Sequence, residues 1–499
     1  MFTKGEHMFT ILMTIITFVL SSQLTKSGYG NYQELNRFAT SIPQMSNLRH
    51  GQWSLYVINT EDGSVIIDIN GEKSLAPASN LKLLTSAVAL SLLGENRRFN
   101  TYLEYSGTID NQGTLWGNLY IHGEGDPTLG SMEMDSVLSM PVLLDDWLEA
   151  VRAQGIKRIN GNLIGDDSYL DFMPLPGDWF WEDMGNYYAA GTSGLCINEN
   201  MYRLFFKPAK QVGQKATVIR TEPEVPDLVF FNHMKTGPVG SGDKGFIYAA
   251  PWQYYQQLEG TIPAGVEEFS IKGALPDPAK FAAQSLYSQL IKNNIPVSGK
   301  IFTERELNET NTSRKQFHFT QSPPLKDIIY RLNKRSVNIY SEQLLKILGR
   351  EIKGRGSLKN GILVQREWLE KRKIFSEGLF LHDGSGLSRE NGTPTKFFAE
   401  LLYSVCSDTF FNSYYNSLMI AGDPDDIGYM KQMCRGTRAA KNVHAKTGLI
   451  KRVRAHSGYV FTKSGQLLCF SMIANDYQGS YVAIDRLHEK IMIQLAELP

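Results

Sequence analysis

Hydrophobic and polar residues alternate over Trp53–Ile58 and again over Val65–Ile69, with Glu61-Asp62-Gly63-Ser64 between them. That pattern predicts a β-hairpin turning at Asp62-Gly63. After Ala76-Pro77-Ala78 the period changes. Ser79–Leu93 is apolar nearly all round and stops at Gly94, as expected of a buried helix with a glycine terminator. The far end mirrors the start. Ser457–Thr462 and Leu467–Ala474 alternate around Lys463-Ser464-Gly465-Gln466 as a second hairpin, and Asp485–Leu498 has amphipathic helical spacing.

Between residues 96 and 274 the texture is one of short strands, Gly/Pro turns and aromatic loops carrying Trp179, Trp181, Tyr187, Tyr188 and Trp252. Helical spacing returns over Pro278–Asn293, Leu325–Leu332, Ile339–Ile352 and Lys359–Lys371. The expected architecture is an α+β domain made from both ends of the chain, residues 30–95 and 275–499. A β-rich insertion over 96–274, in two subdomains, interrupts it.

Met8–Leu20 is a short apolar run preceded by Lys4 and followed by Ser21 and Ser22. A spanning helix needs about 20 apolar residues. The segment is therefore expected to be a secretory signal peptide over 1–22, with the mature protein exported. Composition removes other classes. Lys plus Arg and Asp plus Glu are 51 each, with no block of one sign, which excludes a phosphate-tracking nucleic-acid binder. Cys196, Cys406, Cys434 and Cys469 form no CxxC or Cys/His cluster, and the nine histidines include no HExxH. No metal or cofactor is expected, and disulfide pairing is left open.

Ser79-Asn80-Leu81-Lys82 places a hydroxyl and an amine at i and i+3 in the first turn of the expected helix. A serine needs a base to become a nucleophile, and a lysine serves when burial and neighbouring cations lower its pKa. Alone, Ser79 also fits a helix N-cap. Ser336-Val337-Asn338 lies between two helical segments, and Lys446-Thr447-Gly448 precedes the C-terminal hairpin. A loop Ser and Asn can face the Ser/Lys pair, and a Lys-Thr edge can bind a carboxylate. Two decoys are set aside. Ser241-Gly-Asp-Lys244 has no helix to orient it, and Lys235-Thr-Gly237 is expected to be a turn. His382-Asp383-Gly-Ser385 holds triad residue types too close together to assemble a triad and is expected to be a loop.

SxxK, SxN and KTG in this order are the signature of penicillin-recognising serine acyl-transferases. The chain from about residue 35 to its end closely resembles the D-alanyl-D-alanine carboxypeptidase/endopeptidases of the class C low-molecular-mass penicillin-binding proteins. The long interval between Ser79 and Ser336 carries the subfamily resemblance, as do Gly125–Leu129, Gly165–Tyr169, Ala189–Gly194 and Asp383–Arg389. The resemblance implies a β-lactamase/transpeptidase-like domain, an antiparallel sheet flanked by helices. It implies Ser79 as nucleophile, Lys82 as general base, Ser336 as proton relay and Asn338 as a positioning group. Lys446 and Thr447 would hold the substrate carboxylate beside Gly448, and the backbone N–H groups of Ser79 and Leu449 would form an oxyanion hole. The partners implied are peptidoglycan stem peptides, with β-lactams as inhibitors, in the periplasm or cell envelope. The insertion is left open between substrate guidance, partner docking and peripheral membrane contact.

Leu449 departs from the family, which often has a threonine there, and this favours endopeptidase action on cross-links. Arg389 matches a position lining the pocket for the acidic side chain of meso-diaminopimelate, and a structural salt bridge explains it equally well. Glu304-Arg-Glu-Leu-Asn308 matches a β-lactamase deacylation motif, yet it precedes Ser336 where in those enzymes it follows. β-Lactamase action and non-catalytic cell-wall binding are the alternative functions.

Overall fold

Both terminal hairpins form, and they pair with each other. The computed structural model describes residues 31–307 and 313–499, so the leader expected over 1–22 lies outside the described residues. The main sheet contains β1 (Gln52–Asn59), β2 (Val65–Ile69), β3 (Met419–Ile420), β4 (His444–Ile450), β5 (Val453–Phe461) and β6 (Leu467–Asn475). Its order is β3-β4-β5-β6-β1-β2 and every pairing is antiparallel. Strand β1 runs in unbroken register with β6, from Gln52 opposite Asn475 to Asn59 opposite Leu468.

The central strands are buried on both faces. One face is covered by the helix over 31–41 and by the closing helix Tyr481–Ala496, whose Ile484, Ile491, Met492 and Leu495 join Trp53, Leu55 and Phe470. The closing helix starts four residues earlier than its spacing suggests, because the Ser480 side chain caps it by accepting from Val482 N. The other face is covered by helices Lys82–Leu93, Leu325–Arg335, Asn338–Lys353, Leu358–Arg372 and Thr395–Val405. Helix Lys82–Leu93 is buried from Lys82 to Leu90 and ends at Gly94, whose φ of +83° the absent Cβ permits. Each fully buried Leu or Val contributes about 1.5–3 kcal/mol relative to exposure.

The inserted layer has its own core. Its five-stranded sheet runs Ile301–Thr303, Leu163–Asp166, Leu119–Gly123, Asn100–Tyr105, Lys315–Gln321. A second group of strands is built around Met201–Lys207 and Tyr255–Pro263, and one apolar cluster joins both groups. This corrects the expected return at 275. Helix Pro278–Lys292 gives Phe281, Leu286 and Leu290 to the insertion's core, and Lys315–Gln321 pairs with Asn100–Tyr105. The chain returns near residue 322, where the two crossings run side by side: Ser322 N donates to Phe99 O and Leu325 N to Arg97 O, both at 2.8 Å.

Helix Met140–Ala153 was not expected in a β-rich region, although Met140, Leu143, Trp147 and Val151 carry its spacing. Lys235–Gly237, expected as a turn, is a strand parallel to Tyr255–Pro263. All four cysteines are free thiols. Among the described residues no helix is long and apolar enough to cross a membrane.

Candidate active site

A single 3-10 turn, Ala78–Leu81, leads directly into helix Lys82–Leu93. Ala78 takes a φ of +46°, a left-handed backbone unusual outside glycine. The turn is tied to the sheet by Asn80 Nδ2, which donates to Ser457 Oγ at 2.7 Å. It presents Ser79, half-buried, to an open cleft of about 1190 Å³ between the catalytic domain and the insertion.

Lys82 lies behind Ser79 with no exposed surface. Its Nζ donates to Ser79 Oγ (2.8 Å), Asn338 Oδ1 (2.6 Å) and Ser385 O (2.7 Å). Burial pushes its pKa down to about 7, against the opposing fields of Asp383 and Glu342. An amine poised there is neutral often enough at physiological pH to accept the Ser79 proton.

Ser336 caps helix Leu325–Arg335 in a left-handed conformation, φ +57°. Lys446 Nζ, also fully buried, donates to Ser336 Oγ (2.8 Å) and to Thr447 O (2.7 Å). Burial, then the cations Lys82 and Arg454, push the Lys446 pKa well below the usual lysine value. Asn338 opens the next helix and bridges to the insertion, its Nδ2 donating to Tyr188 O at 2.7 Å. The five residues Ser79, Lys82, Ser336, Asn338 and Lys446 are thus joined in two hydrogen-bonded clusters beside one cleft.

Strand β3 pairs only with His444 and Ala445, so Lys446–Ile450 forms a sheet edge along the cleft. Thr447 and Leu449 line it, Leu449 with 45% of its surface exposed. A Cβ on Gly448 would stand 2.6 Å from Pro77 O, so only glycine lets this edge close against the turn that carries Ser79.

The loop Asp383–Arg389 braces the turn from the other side. Buried Asp383 accepts from Trp179 Nε1 (3.0 Å), Gly386 N (2.7 Å), Ser388 N (2.6 Å) and Asn391 Nδ2 (2.8 Å). Glu342 accepts from Gly384 N (3.0 Å) and Ser385 N (2.7 Å), which aims Ser385 O at Lys82. Burial, then the neighbouring Asp383 charge, push the Glu342 carboxyl up. Sequence reasoning missed Trp179, Tyr188, Glu342 and this use of Asp383. The intact Asp383–Arg389 segment marked the loop but not its partners. His382 pairs outward with Asp178 at 3.0 Å, so no triad forms.

Arg389 lines the cleft, donates to Glu182 at 3.2 Å and lies 4.1 Å from the Phe180 ring centroid. Glu304 belongs to the inserted layer, where it pairs with Arg314 at 2.9 Å, and it is not among the cleft-lining residues. The arrangement can perform acyl transfer: a hydroxyl on a near-neutral amine, a second hydroxyl on a second buried amine, and an open strand edge to hold an extended peptide.

Residues 35–496 match the D-Ala-D-Ala carboxypeptidase 3 (S13) family. The D-alanyl-D-alanine carboxypeptidase of Actinomadura sp. (strain R39) is 29% identical over 493 residues, 96% of this chain and 87% of that protein. The D-alanyl-D-alanine carboxypeptidase DacB of Haemophilus influenzae is 25% identical, over 92% of each chain. The crystal structure of penicillin binding protein 4 (dacB) from Haemophilus influenzae superposes with a TM-score of 0.78 at 23% identity, covering 94% of this chain and 99% of that one. The chain belongs to the D-Ala-D-Ala carboxypeptidase 3 (S13) family. It is a serine-type D,D-peptidase of the cell envelope acting on peptidoglycan stem peptides.

Proposed function

We propose that Ser79 Oγ attacks the carbonyl of a D-alanyl peptide bond while Lys82 Nζ takes its proton. The observation that carries this reading is the fully buried Lys82 amine, 2.8 Å from Ser79 Oγ and held near pH 7. The C–N bond then breaks. Ser336 Oγ hands a proton to the leaving amine and is resupplied through Lys446, leaving an ester on Ser79 that water hydrolyses. Asn338 holds Lys82 and the substrate amide. Backbone N–H groups of Ser79 and Leu449 stabilise the oxyanion, a contribution of about 3 kcal/mol per donor. Thr447 and Lys446 take the carboxylate that follows the bond, with Gly448 giving clearance. Arg389 meets an acidic side chain on the acyl side and exchanges its Glu182 contact for it. β-Lactams trap Ser79 as a slow ester. The chain acts after export, in the periplasm or cell envelope, with a leader over 1–22 removed.

The test is intact mass after incubation with benzylpenicillin. A persistent one-penicillin adduct, absent in Ser79→Ala, supports a penicillin-binding D,D-peptidase. Fast penicillin turnover with a fleeting adduct makes the protein a β-lactamase. Neither adduct nor turnover sinks the acyl-enzyme chemistry and leaves cell-wall binding.

A further inference from the structure

The cleft continues past Ser336 into a wall of cations. Arg331 and Arg335 stand one turn apart on helix Leu325–Arg335, and Lys272 faces them from the insertion; all three line the cleft. Two carboxylates are present. Glu133 is shared by Lys272 (2.9 Å) and Arg331 (2.6 Å). Glu199 is buried, accepts from Ser131 Oγ (2.6 Å) and Tyr340 OH (2.8 Å), and has its pKa raised by burial. The wall is therefore net positive. Arg335 lacks an ion-pair partner among the described residues. It donates to Ile427 O (3.0 Å) and lies 5.2 Å from the Tyr429 ring centroid, and it acts on the Glu133 carboxylate only at longer range, behind Lys272 and the directly paired Arg331. On this same leaving-group side Leu449, which lines the cleft, supplies no side-chain donor for a carboxylate.

We propose that Arg335, backed by Arg331 and Lys272, reads carboxylates on the leaving-group arm of the substrate, so that cross-linked peptides bearing free carboxylates beyond the scissile bond are preferred over a bare terminal D-alanine. This rests on the acyl-enzyme reading above, in which Ser336 protonates the leaving amine and so fixes that side of the cleft. A planar guanidinium with free N–H groups suits a carboxylate. A single D-alanine is too short to use a wall that extends beyond Ser336, whereas the second arm of a cross-link follows it.

The experiment compares three substrates: a cross-linked peptide dimer with free acceptor carboxylates, the same dimer amidated there, and a linear peptide ending in D-Ala-D-Ala. Arg335→Gln is expected to lower kcat/KM on the free dimer about tenfold, through KM, and on the linear peptide less than threefold. Wild-type protein on the amidated dimer is expected to show the same loss, and Arg335→Lys to retain most of the preference. Stoichiometric labelling by saturating benzylpenicillin checks that each variant is folded. Equal losses on dimer and linear peptide, or a wild-type enzyme indifferent to amidation, overturn the proposal. A wild-type protein that neither labels nor cleaves any of the three overturns the acyl-enzyme reading and this proposal with it.

Discussion

On the proposed mechanism Lys82 sets the pH behaviour of the site: its neutral form would be the base, and burial lowers its pKa to about 7. Below that value the amine is protonated and the acylation rate falls about tenfold per pH unit; above it the rate levels off. Stopped-flow acylation by a chromogenic β-lactam between pH 5 and 9 checks this, and a flat profile removes Lys82 as the base. Ser79, Lys82, Ser336, Asn338 and Lys446 were legible in the sequence because each lies inside a three- or four-residue motif with fixed local spacing. Glu342 and Trp179 were not. Their partners, Ser385 N and Asp383, lie about 40 and 200 residues away and are set by packing alone.

At the level of elements, the site depends on how closely β4 approaches the Ala78–Leu81 turn. Gly448→Ala puts a methyl 2.6 Å from Pro77 O, a backbone atom that cannot swing aside. The strand edge must retreat. Penicillin acylation is expected to drop by two orders of magnitude or more while the far-UV dichroism is retained, a displacement of about 1 Å costing on the order of 100-fold. Acylation within threefold of wild type would show that the edge has room. The hairpins and most helices were legible because their periods are local. Helix Met140–Ala153 carried the spacing but stood among short strands. The return of the chain was misplaced because helix Pro278–Lys292 looks the same in sequence whichever core it joins.

Across the whole molecule, the two chain ends are locked by a buried pair of histidines. Trp53 Nε1 on β1 donates to His488 Nε2 at 3.0 Å, and His488 Nδ1 meets His456 Nδ1 on β5 at 2.9 Å. Burial, then Arg454, push His488 down to about 3, and His456 lies well below its usual value for the same reasons. Both bind protons more readily unfolded than folded. Their stabilising contribution is therefore complete above about pH 6.5 and is lost as pH falls toward 3. Urea unfolding at pH 7 and pH 4.5 is expected to show a steep loss of stability on acidification, about 1 kcal/mol or more per pH unit. His488→Leu should be less stable at pH 7 but flatter across this range. An unchanged slope would exclude the pair.

The register of β1 against β6 also governs time. A polypeptide is made from its N-terminus, so Ser79 emerges hundreds of residues before Lys446, and β1, although β2 follows it directly, waits for its other neighbour, β6, the last strand of the sheet in chain order. The insertion, whose own core closes by about residue 322, can fold in the interval. The hydroxyl and its amine meet the second lysine only after the strand His444–Ile450 has been made. A hydrolase built this way is inert on the ribosome and is assembled only once the last strand of its sheet has arrived.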